Sequence, residues 1–541
     1  MKRYKRLFIF IFFCLLTIFY ISIPLQESLA EIKSEKELSI KGGIYRRPLE
    51  FNPKTLDPAL SIDMYAVTVI QQVFDGLVQF DKDLNIIPAI ARSWKISPDG
   101  LTYTFFLREG VKFHNGREVT AKDFVYSFTR MIDPETKSSS ADFFAKVRGA
   151  KEFIDRKAKK VKGLIAEDRS TLKIILSEPY VPFISILAMK GAKVVPKEEV
   201  EKSGMDFGKS PVGTGPFEFI SMKEGEEIVL EANQNYFEGR PRLDKIIFKI
   251  FHGSPREKIF SHFKEGELED SPIPFKEVEG VVKSKQYLFL QKPVLSLRFY
   301  GLNTRIGPLK MEKVRRAINF AVPKEEIGKE ILKGMALLTD RIIPMGMPGY
   351  TPGKTGLGFQ PQKAKDILRE SGHVGERGIP PIEFWSAAKS ELAVKELEMV
   401  KFHLSQIGIT LNLQFETHWP KFQEILLSRM APMFMYAWYA DFPDPDNFLG
   451  TLFHSQSKYN FTAYRNPRVD RLLERARKER DYLKRMEMYR EIEEIILNDA
   501  PIVPMVNHLL QMAYQPYVHG VEVNALGGPY IPMKKIWLKK E

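Results

Sequence analysis

The sequence predicts an α/β fold of closely packed lobes. Short alternating strand patterns are interleaved with helical ones. Hydrophobic residues make up 44% of the 541 residues and aromatic residues 12%. Neither an internal repeat nor a low-complexity linker breaks the chain. A chain of this length holds about two to four domain-sized units. Its composition supports large cores and excludes disorder of the whole chain.

The first thirty residues read as an export leader. Lys2, Arg3, Lys5 and Arg6 precede an apolar run from Leu7 to Ile23, and Ser28-Leu29-Ala30 offers small residues for cleavage after Ala30. An uncleaved membrane anchor is the other reading of this run. Cys14, the only cysteine, sits inside the run behind Phe12-Phe13, so a lipid anchor is not expected. This favours a free periplasmic protein. The remainder then has no cysteine, and its stability must come from a large core.

The net charge is +13. Four basic residues against Glu27 give the leader +3, which leaves +10 for the remainder. That charge could steer acidic ligands or simply be a solvated basic surface. Basic residues are dispersed among acidic ones, with no basic arm or zinc finger, so nucleic acid is not an expected partner.

Residues 31–41 read as a polar tail. Ser97-Pro98-Asp99-Gly100 is a turn before an alternating strand, Leu101 to Phe105. Thr120 caps a helix with Asp123 at its third position, and that helix ends before Asp133-Pro134. Phe217 and Phe219 lead through Lys223-Glu224-Gly225-Glu226 into Ile228 and Leu230, a hairpin with one buried face. Leu243 to Phe251 reads as a further strand. In the second half, Lys310–Ala321, Pro361–Ser371, Leu392–Ile407 and Pro467–Asn498 carry helical spacing. Pro381–Trp385 and Thr410–Phe415 are extended runs between them.

Catalytic and cofactor motifs are missing in fitting contexts. Gly353-Lys354-Thr355 lacks the earlier glycine of a phosphate loop, with Pro348 in its place. Ser261-x-x-Lys264, Ser386-x-x-Lys389 and Lys354-Thr355-Gly356 match parts of a penicillin-binding set, but no S-D-N element lies between them. The nine histidines show no close pair with metal spacing. Asp441, Asp444 and Asp446 lack the calcium-loop pattern and read equally as a turn rich in Asp and Pro. No enzyme, cofactor or metal is expected. The run Met433 to Tyr439 is a strand-like aromatic segment that ends at Ala440-Asp441, and Trp419 precedes it. Ligands in open α/β sheets gather at such strand ends. A carboxylate beside indole rings suits an ammonium group.

Many ordered runs resemble the family-5 extracellular solute-binding proteins, the group containing oligopeptide- and dipeptide-binding proteins of ABC importers. They include Thr55-Leu56-Asp57-Pro58, Val73-Phe74-Asp75-Gly76-Leu77, Gly213-Thr214-Gly215-Pro216-Phe217, Tyr300-Gly301-Leu302-Asn303-Thr304 and Asp444-Pro445-Asp446-Asn447-Phe448. The resemblance implies a two-lobed periplasmic binding-protein fold with an extra domain in the first lobe. Domain I maps to 31–64, 196–287 and 503–541, domain II to 65–195 and domain III to 288–502. Crossing segments near 286–291 and 502–508 would form the hinge. The implied function is capture of short peptides between closing lobes and delivery to membrane permease subunits, by a monomer. Asp441 would hold the peptide amino terminus. The backbone of Tyr439 and of Ser61, Ile62 and Met64 would pair with its main chain. Trp438 and Trp419 would wall side-chain pockets. Lys389 is the candidate for the carboxyl end, where dipeptide binders use an Arg that has no evident match here. Relatives that bind nickel chelates, oligosaccharides or opines keep a non-peptide ligand as the alternative.

Overall fold

The computed structural model describes residues 42–353, 358–370 and 378–539. The leader with Cys14, the whole 31–41 tail and Lys354-Thr355-Gly356 lie outside the described residues. The fold is mixed α/β and two-lobed, as expected.

The first lobe contains two four-stranded sheets. In one, Ile44–Leu49 runs parallel to Lys245–Ile250, followed by antiparallel Glu227–Ala232 and Phe217–Lys223. The expected hairpin forms: Glu226 N–H donates to the Lys223 carbonyl at 3.0 Å, and Gly225 takes the positive φ of 74° that the turn requires. Tyr45, Phe217, Leu230 and Phe248 fill one core against that sheet. The other sheet orders Ala91–Ile96, Thr102–Leu107, Thr171–Ile175 and Leu164–Ala166. Its covering helix, Ala121–Ile132, starts with the capping box read from sequence, with Thr120 N–H donating to Asp123 at 2.8 Å. Phe124 and Phe128 of that helix are fully buried beside Phe105 and Leu172. Burying each such ring contributes about 2 kcal/mol.

The Thr55–Pro58 run has a structural task. Asp57, with a side chain 1% exposed, takes a two-pronged contact from Arg130 at 3.0 and 2.5 Å. This ties the start of the chain to the covering helix.

The second lobe is built on a mixed sheet. Its order is Asp270–Pro272, Ile502–Tyr514, Ser296–Leu302, Met433–Tyr439, Ile382–Ser386 and Leu411–Phe415, and Leu288–Pro293 and Ala336–Leu338 also pair with Ile502–Tyr514. The last three strands in that order are parallel, so their carboxyl ends share one edge of the lobe. Ile502–Tyr514 pairs first with Ser296–Leu302, then with Leu288–Pro293, where Gln511 faces Gln291. Its far end, Met512 and Tyr514, is buried in the first-lobe core. The two segments thus pass side by side from one lobe to the other.

Pro467–Asn498 is two helices rather than one, Pro467–Lys478 and Tyr482–Asp499. Glu479 turns extended, and Asp481 caps the second helix by accepting from Lys484 N–H at 3.0 Å. The apolar stripe continues across the break because both helices bury it in one core, with Leu473, Tyr489, Ile492 and Ile496 together. The helix expected from Lys310 begins at Glu312, after a separate turn over Gly307–Lys310.

The lobes touch. Val181 N–H donates to the Arg477 carbonyl at 2.8 Å, Lys478 pairs with Glu178 at 2.8 Å, and the Phe143 and Phe442 rings meet edge-on at 5.8 Å.

Candidate functional site

The strand Met433–Tyr439 divides its side chains by parity. Phe434 and Tyr436 face one core, and Met433 and Met435 the other. Trp419, the first residue of the helix Trp419–Leu427, stacks on Tyr436 at 6.0 Å with an interplanar angle of 14°. Trp438 lies 5.3 Å from the Tyr459 ring. Both indoles therefore belong to one aromatic surface at the carboxyl edge of the parallel strands. Tyr439, on the opposite face, stacks on His508 at 5.2 Å.

Asp441 follows the strand. Of the three crowded carboxylates, Asp444 pairs with Arg485 and Asp446 with Arg477, at 2.7 and 2.8 Å. Asp441 differs: its hydrogen-bond partner is an amide, Asn447 Nδ2, at 3.4 Å. Asn447 Oδ1 also accepts from Asp441 N–H at 3.0 Å and from Trp438 Nε1 at 3.2 Å. One amide thus fixes both the acid and the indole. Burial drives the Asp441 carboxyl above its usual range, and the Lys190 ammonium and the Asn447 bond oppose that shift. Burial lowers the Lys190 ammonium, against the pull of Asp441 and Asp63.

The Lys190 ammonium of the first lobe is pulled both by Asp63, which precedes the helix Met64–Val73, and by Asp441 of the second lobe. Ser61 is buried, and its Oγ has no hydrogen-bond partner among the described residues. Ile62 and Met64 are exposed, and Asp63 caps the helix through Ala66 N–H at 2.7 Å. Lys389 lies three residues beyond Ile382–Ser386, exposed, with its ammonium 5.9 Å above the Phe415 ring. It shares the carboxyl edge with Trp419 and Asp441.

The serine motifs separate. Ser261 Oγ donates to Glu265 on an exposed helix face, and Ser386 Oγ donates to the Ala388 carbonyl inside a turn. Among the described residues, half-buried His262 with exposed Glu265 and Glu267 brings potential metal ligands within 4.8 Å of one another, but His262 is already paired with Glu267. No helix among the described residues is long and apolar enough to cross a membrane.

Sequence reasoning missed Asn447, Lys190 and His508. Asn447 lay within a matched run. Lys190 and His508 reach the site from distant parts of the chain, and nothing local marks them.

The family described as bacterial extracellular solute-binding proteins, family 5, matches residues 85–460. The dipeptide-binding protein of Escherichia coli K12 is 28% identical over 505 residues, covering 89% of this chain and 91% of that protein. The glutathione-binding protein GsiB of Salmonella typhi is 27% identical over 480 residues, with 87% and 90% covered. In structure, the periplasmic binding protein DppA from Helicobacter pylori, solved with the peptide STSA, superposes with a TM-score of 0.80 at 26% identity, covering 94% of this chain and all of that one. The chain belongs to the family-5 bacterial extracellular solute-binding proteins.

Proposed function

We propose that this protein is the periplasmic receptor of an ABC importer, capturing short peptides between its lobes and presenting them to permease subunits. The observation that carries the reading is Asp441, a carboxylate held by an amide at the end of an aromatic strand. A ligand ammonium supplies the counter-charge that arginines give Asp444 and Asp446. The names of the relatives, dipeptide- and glutathione-binding, support a peptide ligand. The roles are those expected from sequence: Asp441 for the amino terminus, the Tyr439 and Ser61–Met64 backbone for the main chain, Trp438 and Trp419 for the walls. The antiparallel segments Leu288–Pro293 and Ile502–Tyr514 supply the hinge in this reading, which keeps the three-domain division implied by the family resemblance. No reaction is proposed.

Calorimetric titration with short peptides tests the reading. Asp441→Ala is expected to weaken binding by roughly 3–5 kcal/mol, because the ligand ammonium loses its buried partner. N-acetylation of the peptide removes the same contact from the other side. Unchanged affinity in both cases overturns the assignment.

A further inference from the structure

The amino-terminal anchor leaves the other end of the ligand without a partner. Lys389, the sequence candidate, is exposed. A buried cation stands closer to the binding strand.

Arg298 lies on Ser296–Leu302, directly opposite Ala437, and Tyr300 lies opposite Met435. Both side chains rise on the same face. Tyr300 crosses over Met433–Tyr439: its ring packs 5.2 Å from Phe384 on the far neighbour, Ile382–Ser386. Its hydroxyl donates to Glu396. Arg298 Nη1 pairs with the other oxygen of Glu396 at 3.0 Å. Arg298 therefore follows the same course, one step nearer the carboxyl edge. Ala437 beneath it leaves room for the guanidinium.

What lies across the strand differs for the two residues. Pairing between Met433–Tyr439 and Ile382–Ser386 covers Met433 and Phe434 alone. Beyond it that edge has no strand partner among the described residues. Ala440 N–H donates to Leu295 at 2.8 Å, so even-numbered peptide groups point to Ser296–Leu302. Those of Ala437 and Tyr439 then point to the unpaired edge. A peptide added there passes beneath the Arg298 guanidinium.

Arg298 is prepared for an acceptor. Its side chain is 16% exposed. Nε and Nη2 are buried and have no hydrogen-bond partner among the described residues. Buried guanidinium donors are rarely left unmet, and two of them in one plane match a carboxylate. Tyr439 and His508, stacked on each other, come two residues after Ala437 and Val506, the two residues opposite Arg298 on its neighbouring strands.

We propose that Arg298 binds the ligand's terminal carboxylate, and that its position sets the preferred length at three or four residues. This rests on the peptide reading of the cleft. Ala437 and Asp441 are four residues apart, about 13 Å along an extended strand. A peptide advancing about 3.3 Å per residue spans that distance with three to four residues.

Alanine peptides of two to six residues, as free acids and as amides, test it by calorimetry. The three- and four-residue acids are expected to bind tightest. Amidation should weaken them about 10- to 100-fold, the cost of losing hydrogen bonds to a charged group. In the double variant Arg298→Met with Glu396→Gln, which removes both charges together, acid and amide should bind within about twofold of each other. Equal binding of acid and amide by the unaltered protein overturns the proposal, as does a double variant that keeps the amidation penalty. Should the double variant fail to fold by circular dichroism, the comparison is made in Lys389→Met, where a lost amidation penalty overturns the proposal and a retained one supports it. Peptides sensitive to N-acetylation but not to amidation sink Arg298 and spare Asp441. Insensitivity to both sinks the cleft reading itself.

Discussion

Tyr180 donates its hydroxyl to Asp446 at 3.0 Å, joining the two lobes across 266 residues of sequence. The same carboxylate accepts from Arg477 Nε at 2.8 Å, and the Arg477 carbonyl receives Val181 N–H. Residues 180 and 181 thus dock as a pair onto one ion pair of the other lobe. Lobe closure that makes these bonds adds their free energy to ligand affinity. Tyr180→Phe keeps the ring and removes the hydroxyl, so peptide affinity is expected to fall about 10-fold, the value of one hydrogen bond to a charged acceptor. Calorimetry on the variant reads it. Unaltered affinity would mean that the ligand-bound protein does not close through this contact.

Gly213 and Gly215 explain the Gly213–Phe217 run in steric terms. A Cβ on Gly213 would sit 1.9 Å from the Val73 carbonyl oxygen, and one on Gly215 would sit 2.5 Å from that of Gln72. The segment lies directly on the end of the helix Met64–Val73, and Gly215 N–H donates to the Val73 carbonyl at 2.9 Å. Gly213→Ala is expected to destabilise the fold by about 1–3 kcal/mol through overpacking. Urea unfolding measures it. A variant as stable as the parent would show that the segment can move away from the helix at no cost.

These cases also show what sequence can reveal. Met433–Tyr439 was legible because its aromatic alternation is local, and the helix at Thr120 because its cap is written within four residues. The division of Pro467–Asn498 was missed because the apolar stripe runs on across the break. Only the cap at Asp481 distinguishes the two helices. Arg298 and Lys190 carry no local signal. Arg298 acquires meaning from Ala437 beneath it and Glu396 beside it, both about a hundred residues or more away in sequence. Lys190 acquires it when one lobe meets the other.

His114 sets an acid limit on stability. Its Nδ1 accepts from Gly213 N–H at 3.3 Å and its Nε2 donates to the Gly215 carbonyl at 3.0 Å, an arrangement that fits the neutral ring. Burial lowers its pKa from 6.5 to about 4, against the raising effect of the Gly215 bond. A depressed folded-state value contributes stability that is complete above pH 6.5 and is lost as pH falls through 4. The shift corresponds to about 3 kcal/mol in total. Unfolding free energies at pH 7 and pH 4.5 should therefore differ less in His114→Gln than in the parent, by about 2–3 kcal/mol. Parallel pH profiles would show that His114 titrates alike in the folded and unfolded chains.

Asn447 positions the amine anchor without itself supplying charge. Its Oδ1 accepts from the Asp441 backbone and from the Trp438 indole, and its Nδ2 reaches the Asp441 carboxylate. Asn447→Ala leaves Asp441 in place chemically but frees it to rotate, and it leaves the indole N–H without an acceptor. Peptide affinity is expected to fall about 10-fold, less than for Asp441→Ala, because the counter-charge remains. Asn447→Asp should be worse than the alanine variant at neutral pH, since a second carboxylate would face Asp441 and favour a shared proton. Its affinity loss should then vary with pH in a way that the alanine variant's does not. Calorimetry of both variants at pH 5.5 and 7.5 separates these effects. Affinity that stays at the parent's value in Asn447→Ala would show that Asp441 finds the ligand ammonium unaided, and that the amide serves packing alone.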